Sequence, residues 1–271
     1  QELAAASDFL SPNSNTTKET LISYFGRAEY AYSDKYNASF SLRTDGSSVF
    51  GDNTKWGTFW SAGLSWRLKQ ENFLKDVEWL DQLKARFSYG TSGNKAGIGR
   101  YASKGLWTVD ADYKYNGSAG SILTQLANKD LSWESQKMLN VGVDFGFFNS
   151  IFGSIDYFHK ISDGLLYNYP LSTENGLATV TMNAAKTANY GFEFVLGANL
   201  FKKSPVKWTT ELNASIIKDK IKDLYGDDNV PQTTYAKIWS VGGSQYEFWM
   251  PTWAGVDPAT GSPLWYKVDA N

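Results

Sequence analysis

A ten-residue segment in which apolar and polar side chains strictly alternate constrains the fold of this chain most strongly. It reads WSAGLSWRLK, from Trp60 to Lys69. The apolar row comprises Trp60, Ala62, Leu64, Trp66 and Leu68, and the intervening residues are Ser, Gly, Arg or Lys. Successive side chains of a strand point to opposite faces, so a period of two predicts a β-strand with one apolar and one polar face.

The same alternation recurs through most of the chain. It predicts strands at about residues 20–33, 36–45, 82–89, 138–147 and 151–161, a hairpin across 201–205, and further strands near 236–241 and 245–254. Residues 70–81 depart from it, because Phe73, Val77 and Leu80 follow the spacing i, i+4, i+7. That spacing predicts a short amphipathic helix. Residues 90–132 and 162–186 are predicted to be long irregular loops.

Short and long connections alternate along the chain. The short or compact ones are predicted at residues 34–35, 70–81, 149–150 and 201–205, and the long ones at 46–57, 90–132, 162–186 and 217–235. Bacterial outer-membrane barrels show this asymmetry, with short periplasmic turns and long extracellular loops. The pattern therefore predicts that odd strands run inward and even strands outward.

Composition excludes several classes of protein. No run approaches the roughly 18 consecutive apolar residues that a membrane-spanning helix needs. The net charge of -2 and the scattered Lys and Arg residues disfavour nucleic-acid binding. The hydrophobic share of 42% would suit a soluble protein, but membrane barrels share this profile because half of every strand faces water.

A soluble β-sandwich or a calycin-type barrel also alternates, with its apolar face turned into a core. Three features favour the membrane: strands of about ten residues, aromatic residues at strand ends, and charges in the middle of the polar rows. Nine or ten strands exceed a small eight-stranded barrel, and the chain starts and stops in loop-like sequence. We therefore expect a fragment, with the remaining strands and any signal peptide elsewhere.

Several segments resemble the TonB-dependent transporters of the SusC/RagA family of Bacteroidetes. In order, they are YFGRAEYAYSDKYNASFSLRTDGSSVFG, LDQLKARFSYGTSGN, DLSWESQKMLNVGVDF, GSIDYFHKISDGLL, NYGFEF and AGVDPATGSP. The resemblance implies an all-β fold, an antiparallel transmembrane β-barrel segment with about nine or ten strands of a 22-stranded barrel and long extracellular loops. Residues 1–271 would form part of the receptor β-barrel domain, without the plug domain or signal peptide.

The resemblance also implies a function and partners. The protein would import oligosaccharides or peptides across the outer membrane, together with a SusD-like surface lipoprotein and with the TonB complex, which would contact parts of the protein absent here. Flat aromatic side chains in the extracellular loops suit sugar rings and peptide side chains alike. The candidate substrate contacts are Trp107, Tyr113, Tyr115, Trp239, Phe248 and Trp249, although these residues could instead pack the loops or lie at the lipid interface.

Charged residues on the polar rows are expected to face the lumen and to form a structural network in the barrel wall. They are Arg43, Arg67, Arg86, Asp144 and Glu193. The loop residues Asp227, Asp228 and Asn229 offer oxygen ligands of the kind that Ca2+ takes, but their spacing matches no EF-hand loop. We therefore expect a solvated loop, no metal site and no cofactor.

Two rival functions remain at this point. An outer-membrane enzyme would need a base beside a nucleophile, but the single histidine, His159, falls on the row assigned to lipid. The chain also contains no GxSxG, HExxH or P-loop motif, so we expect no enzymatic activity. A structural or adhesive barrel is compatible with the wall but not with the ordered family segments.

Overall fold

The computed structural model describes residues 16–115, 118–172, 174, 176–201, 205–224, 232–234 and 236–266. Its strands, in chain order, are β1 (Leu21–Tyr32), β2 (Tyr36–Ser47), β3 (Trp56–Arg67), β4 (Leu80–Asn94), β5 (Leu106–Tyr115), β6 (Ser118–Gln125), β7 (Glu134–Phe147), β8 (Ile151–Pro170), β9 (Thr179–Leu200), β10 (Trp208–Leu224), β11 (Gln232–Thr234), β12 (Lys237–Trp239), β13 (Trp253–Val256) and β14 (Pro263–Trp265). Within these ranges, no helix is long and apolar enough to cross a membrane.

Eight of the strands form one antiparallel sheet in the order β1-β2-β3-β4-β7-β8-β9-β10. Each strand pairs with its neighbour in sequence, except that the β5–β6 hairpin is inserted between β4 and β7. The strands β11–β12 and β13–β14 form two further small hairpins. The all-β antiparallel architecture expected from the alternating pattern is thus confirmed.

The register between strands keeps all apolar rows on one face of the sheet. Leu42 on β2 lies opposite Trp60 on β3, and Phe40 lies opposite Ala62. A slip of one residue would move an entire apolar row to the other face, so the pattern itself specifies this register. The apolar face is exposed: Leu64 is 57% and Ile216 60% accessible to solvent.

A cluster of buried hydrophobic residues lies at one end of the sheet. Phe50, Ala102 and Leu131 pack together there, with Ile98 and Trp133 against them. This end carries residues 48–55 and 95–133, and we call it the long-loop end. The opposite end, where β1 meets β2 and β7 meets β8, is called the short-turn end.

Two tight hairpin turns define the short-turn end. Ser33 and Asp34 have φ values of 51° and 56°, and the Lys35 N–H donates to the Tyr32 carbonyl at 3.0 Å. Phe148 and Asn149 have φ values of 55° and 49°. Positive φ at both central residues gives a turn whose twist suits flanking strands. The predicted turns, at residues 34–35 and 149–150, were each one residue too late.

The strands are longer at the long-loop end than the sequence predicts. β4 continues to Asn94 and the predicted irregular region 90–132 contains the β5–β6 hairpin, while β8 and β9 cover most of the predicted loop 162–186. A bulge explains part of this error. The β8–β9 register shifts between Asp163 and Leu165, where Gly164 has a φ of 68°. An extra residue at a bulge breaks the period of two.

Two other predicted elements differ from the structure: the strand near residues 245–254 and the helix at residues 70–81. Strand structure near residues 245–254 is limited to the start of β13 and a bridge between Phe248 and Lys237. The predicted amphipathic helix at 70–81 is wrong, because a 3-10 helix at Leu68–Gln70 is followed by turns. Phe73, which was expected on its apolar stripe, is 67% exposed.

The Lys69 ammonium is bound to the turns of this connection. Its Nζ donates to the carbonyl oxygens of Leu74, Lys75 and Val77 at 3.1, 3.1 and 2.7 Å. The carbonyls of Leu74 and Val77 also accept the N–H groups of Val77 and Leu80 in turns. One side chain thus adds to the turn hydrogen bonds of a connection that no long helix or strand stabilises.

Glu71 ties the same connection to the first hairpin. Its carboxylate accepts hydrogen bonds from the Tyr36 hydroxyl at 2.5 Å, from Trp66 Nε1 at 3.1 Å and from Lys35 Nζ at 3.2 Å. The Tyr36 hydroxyl, followed by the other two donors, holds the pKa of Glu71 below its ordinary value of 4.5. Hydrogen bonds to the charged form favour that form.

Glu71→Gln is expected to remove a contribution to the free energy of unfolding that the wild type has at neutral pH and loses in acid. A carboxylate whose pKa is lowered on folding stabilises the folded state above pH 4.5, and this contribution is lost as the pH falls through the lowered pKa. Between neutral pH and about pH 3, the melting temperature should therefore fall further for the wild type than for Glu71→Gln. Glu78→Gln, which alters an exposed carboxylate of the same connection, should behave like the wild type. Parallel curves for Glu71→Gln and the wild type would contradict the assignment.

Candidate ligand pocket and charged wall

The polar face of the sheet is lined by small polar side chains across β2, β3, β4 and β7. The register aligns them into a continuous band comprising Asn37, Ser39, Ser41, Ser61, Ser65, Ser88 and Asn140. Asn37 Nδ2 donates to Ser65 Oγ at 3.3 Å, and Asn140 Nδ2 donates to Ser88 Oγ at 3.2 Å. This band gives the polar face an uncharged surface of hydroxyl and amide groups.

The first charged group is centred on Arg86. Its Nε lies 3.0 Å from Asp144 Oδ1, and its Nη2 lies 2.7 Å from the same oxygen and 2.9 Å from Asp156 Oδ1. Lys84 Nζ lies 3.9 Å from Asp144. A guanidinium presents several donors in a fixed fork, so one arginine can hold two carboxylates.

Gly142 makes this network possible. It lies between Arg86 on β4 and Asp156 on β8 in the register. A Cβ atom at this position would lie 2.0 Å from Asp156 Oδ1 and 3.0 Å from Arg86 Nη2. The arginine and the aspartate therefore meet across β7 only because the residue between them has no side chain.

The other charged residues named from the sequence lie elsewhere on the polar rows. Arg43 Nε lies 2.7 Å from both carboxylate oxygens of Asp45. Arg67 Nη1 donates to Asp34 Oδ1 at 2.6 Å, beside the first tight turn. Glu193 is exposed and lies opposite Asp156 in the β8–β9 register. The five residues are thus distributed along the face rather than gathered into one site.

A concave pocket of about 730 Å³ lies at the long-loop end of the polar face, between β2, β3, β4 and the start of the 95–133 loop. Sites for small molecules commonly have volumes of about 300–1,000 Å³. Its lining includes aromatic, hydroxyl, amide and charged side chains, namely Phe59, Trp133, Ser41, Ser61, Thr91, Ser92, Asn94, Glu19, Arg43, Asp45 and Lys95.

Two aromatic side chains of the lining, Phe59 and Trp133, pack against each other, and we call them the aromatic corner. Phe59 lies opposite Arg43 in the register and therefore on the polar face. Its ring meets Trp133 edge-to-face, with centroids 5.8 Å apart and an angle of 73°. Trp133 also packs against Phe50 at 4.6 Å, and its Nε1 donates to the Lys55 carbonyl at 3.0 Å. Both rings are therefore held in place from more than one side.

Two glycines leave the space that the Phe59 ring occupies. A Cβ atom at Gly93 would lie 2.2 Å from Phe59 Cζ, and one at Gly57 would lie 2.6 Å from it. Side chains at these positions would push the ring away from its present place. The two glycines thus allow the backbone to approach one aromatic ring closely on a face that is otherwise polar.

The charged residues of the pocket form two ion pairs. Arg43 pairs with Asp45, which is only 6% exposed. Lys95 pairs with Glu19, and Arg100 Nε lies 3.7 Å from the same carboxylate. The Lys95 ammonium, by its hydrogen bond, holds the pKa of Glu19 below its ordinary value. Both carboxylates and both cations of the lining are therefore neutralised by neighbours in the protein.

Hydroxyl and amide groups complete the lining. Ser41 Oγ and Ser61 Oγ are 2.7 Å apart, and Thr91 Oγ1 accepts the Trp60 N–H at 3.1 Å. Asn94 donates from Nδ2 to Glu134 at 3.3 Å and accepts the Ala96 N–H at 2.9 Å. Each hydroxyl has one donor and two acceptor positions, so these contacts orient the groups without using all their capacity.

Asn183 on β9 anchors the chain just before Trp133. Its Oδ1 accepts the Ser132 N–H at 2.9 Å, and its Nδ2 donates to the carbonyls of Ser132 and Gly164 at 2.9 and 2.8 Å. On the other side of this segment, the Gly51 N–H donates to the Leu131 carbonyl at 2.9 Å. A Cβ atom at Gly51 would lie 1.9 Å from the Lys129 carbonyl oxygen, so this approach requires glycine.

The aromatic candidates whose side chains the structure describes lie outside this pocket. Trp107 is on β5 and exposed, while Trp239 on β12 packs against Tyr167 at 5.9 Å and Phe248 and Trp249 are exposed. The side chains of Tyr113 and Tyr115 lie outside the described residues, as do Asp227, Asp228 and Asn229. The signal that could have found the pocket was Phe59, which interrupts the polar row of β3.

The remaining candidate for chemistry was His159. Its ring meets Tyr190 edge-to-face with centroids 5.9 Å apart, on the apolar face. Among the residues that the structure describes, no group of three or more His, Cys, Asp or Glu side chains could hold a metal ion.

The known proteins that this chain resembles agree with the observed fold. A family model described as TonB dependent receptor-like, beta-barrel matches residues 3–269. The TonB-dependent receptor SusC of Bacteroides thetaiotaomicron is 37% identical over 220 residues, covering 79% of this chain and 22% of SusC. The TonB-dependent receptor P39 of Formosa agariphila is 34% identical over 215 residues, covering 79% of this chain and 20% of P39. The chain thus spans about a fifth of the length of these relatives.

Solved structures show the same likeness. The RagAB peptide importer in its open-open state matches with a TM-score of 0.86 at 27% identity, covering 98% of this chain and 29% of that chain. The FrpB iron transporter from Neisseria meningitidis matches with a TM-score of 0.52 at 14% identity, covering 77% of this chain and 27% of that chain. The second match concerns the fold alone.

Proposed function

Because the chain belongs to the TonB-dependent receptor β-barrel family, we propose that the protein imports large nutrients, oligosaccharides or peptides, through a barrel whose wall includes these strands. The family expected from the sequence, the transmembrane β-barrel fold class and the outer-membrane location are confirmed by the family match and by the likeness to SusC and RagAB. The cargo and the partners belong to the proposal.

The observation that carries the proposal is the division of the sheet into two unlike faces. Trp56 and Trp66 lie near the two ends of the outward row of β3. Trp56 stacks on Tyr24 of β1 and Trp66 on Tyr36 of β2, each with ring centroids 6.2 Å apart. With a rise of about 3.3 Å per residue and a tilt of about 40°, their ten-residue separation spans about 25 Å. That is the height of the apolar band of outer-membrane barrels, so this face suits lipid.

The polar face then suits a water-filled lumen. In this arrangement Arg43, Arg67, Arg86, Asp144 and Glu193 face the lumen, and the pocket beside Phe59 lies near its extracellular mouth. An incoming nutrient would meet this pocket early. The loop aromatics Trp107, Tyr113, Tyr115, Trp239, Phe248 and Trp249 remain proposed contacts on the outer surface.

We propose a SusD-like surface lipoprotein as the partner at the extracellular mouth and the TonB complex as the source of energy. The likeness to SusC and to the RagAB peptide importer supports this proposal. The named relatives are receptors and transporters, which fits a protein without enzymatic activity. The proposal includes no cofactor.

Growth and uptake by a deletion strain test this function. The strain should lose uptake of at least one oligosaccharide or peptide that the parent strain takes up, and the gene should restore it. Unchanged uptake of every compound tested would contradict import. Partition of the purified protein into the aqueous phase without detergent would contradict the placement of the apolar face against lipid.

A further inference from the structure

We propose that the pocket beside Phe59 binds a neutral, polyhydroxylated unit, that is, one sugar ring of an oligosaccharide, rather than a charged peptide. This inference rests on the proposed import function and selects between its two classes of cargo. It assigns a binding role to Phe59 and Trp133, which the sequence alone did not single out.

The charge distribution of the pocket argues for a neutral ligand. Its carboxylates and cations form the pairs Arg43–Asp45 and Lys95–Glu19. A charged ligand group would have to compete with a partner already in contact, and it would lose part of its hydration in doing so. A ligand without charge incurs neither cost.

The polar groups of the pocket argue for hydroxyls. Ser41 and Ser61 share one hydrogen bond between them, which leaves one O–H and several lone pairs for a ligand. Thr91 accepts a backbone N–H and retains its own O–H as a donor. Sugar hydroxyls both donate and accept, so they match groups of this kind better than carboxylates or ammonium groups, which only accept or only donate.

The aromatic corner argues for a ring with an apolar face. A pyranose carries C–H groups on its faces and hydroxyls around its edge. Phe59 and Trp133, whose ring planes are inclined at 73°, line the same pocket as the hydroxyls of Ser61 and Thr91, so its lining combines apolar rings with hydrogen-bonding groups. Because glycines and packing already fix the Phe59 ring, little side-chain entropy is lost when a ligand stacks on it.

Binding by the purified full-length protein, with any lipoprotein that copurifies, tests the inference. The probes are neutral hexasaccharides (cellohexaose, mannohexaose, maltohexaose and xylohexaose) and a set of charged and uncharged octapeptides. At least one hexasaccharide should bind, and its affinity should be insensitive to salt. Phe59→Ala should weaken it by at least about tenfold, whereas Phe59→Tyr, which keeps the ring, should retain it.

A matched control comes from the same face. Phe25 lies opposite Arg43 on the β1 side, is 81% exposed and does not line the pocket, so Phe25→Ala should bind like the wild type. Ser61→Ala, a small change that preserves the fold if Phe59→Ala does not, should weaken binding severalfold.

Each outcome has a distinct meaning. Binding and uptake of peptides without any hexasaccharide would overturn the choice of ligand and leave import intact. Hexasaccharide binding that neither Phe59→Ala nor Ser61→Ala weakens would overturn the assignment to this pocket. Unchanged uptake of every compound by the deletion strain would remove the import function itself.

Discussion

Arg86→Met is expected to destabilise the folded barrel by about 2 kcal/mol. Methionine leaves Asp144 and Asp156 facing each other without the guanidinium that now contacts both. Loss of one partner from a fully buried pair costs about 3–5 kcal/mol. The three side chains here retain 22–35% exposure, so solvent screening lowers the expected cost.

Thermal unfolding of the full-length protein measures this effect. It is followed in electrophoresis as the temperature at which the protein changes from its folded to its unfolded mobility. Arg86→Met should lower that temperature clearly. Combining it with Asp156→Asn should restore part of the loss, because the Asp156 carboxylate, which then lacks its arginine partner, is removed while Asp144 keeps Lys84 at 3.9 Å. Arg27→Met, which removes an exposed ion pair with Glu29 on the same face, should have little effect. Equal melting of both single variants would show that the network contributes no more than a surface pair.

The central segments of the strands were predictable because one local rule governs them. Along Trp60–Trp66, every second side chain faces the apolar side, so the period of two gives both the strand and its orientation. The same rule placed Arg86 and Asp144 on the polar rows. It could not pair Arg86 with Asp156, because that contact depends on which strand lies two places away and on the absence of a side chain at Gly142.

The pocket could not be predicted from the sequence for a related reason. Phe59 and Trp133 are far apart in sequence and meet only because the 95–133 loop folds back onto β3. The loop is held by individual hydrogen bonds and close glycine contacts, which impose no periodic pattern on the amino-acid sequence. The Gly164 bulge had the opposite effect, since it disturbed the alternation and made a genuine strand resemble a loop.

Asn183→Ala should loosen the segment that carries Trp133. The asparagine makes three hydrogen bonds of 2.8–2.9 Å to the backbone of Ser132 and Gly164. Its loss leaves these partly buried groups without that partner, and we expect destabilisation of about 2 kcal/mol. Because Ser132 directly precedes Trp133, amide hydrogen exchange should rise at residues 128–134, and affinity for the pocket's ligand should fall with it.

Two further variants separate this role from a general loss of stability. Asn183→Asp keeps an acceptor for the Ser132 N–H but directs a carboxylate at two carbonyl oxygens, so its exchange rates should rise at least as much as those of Asn183→Ala. Asn199→Ala removes a hydrogen bond from Thr209 near the opposite end of β9 and should leave residues 128–134 protected. If exchange at 128–134 were unchanged in both Asn183 variants, the aromatic corner would be positioned by Phe50 and the Lys55 carbonyl alone.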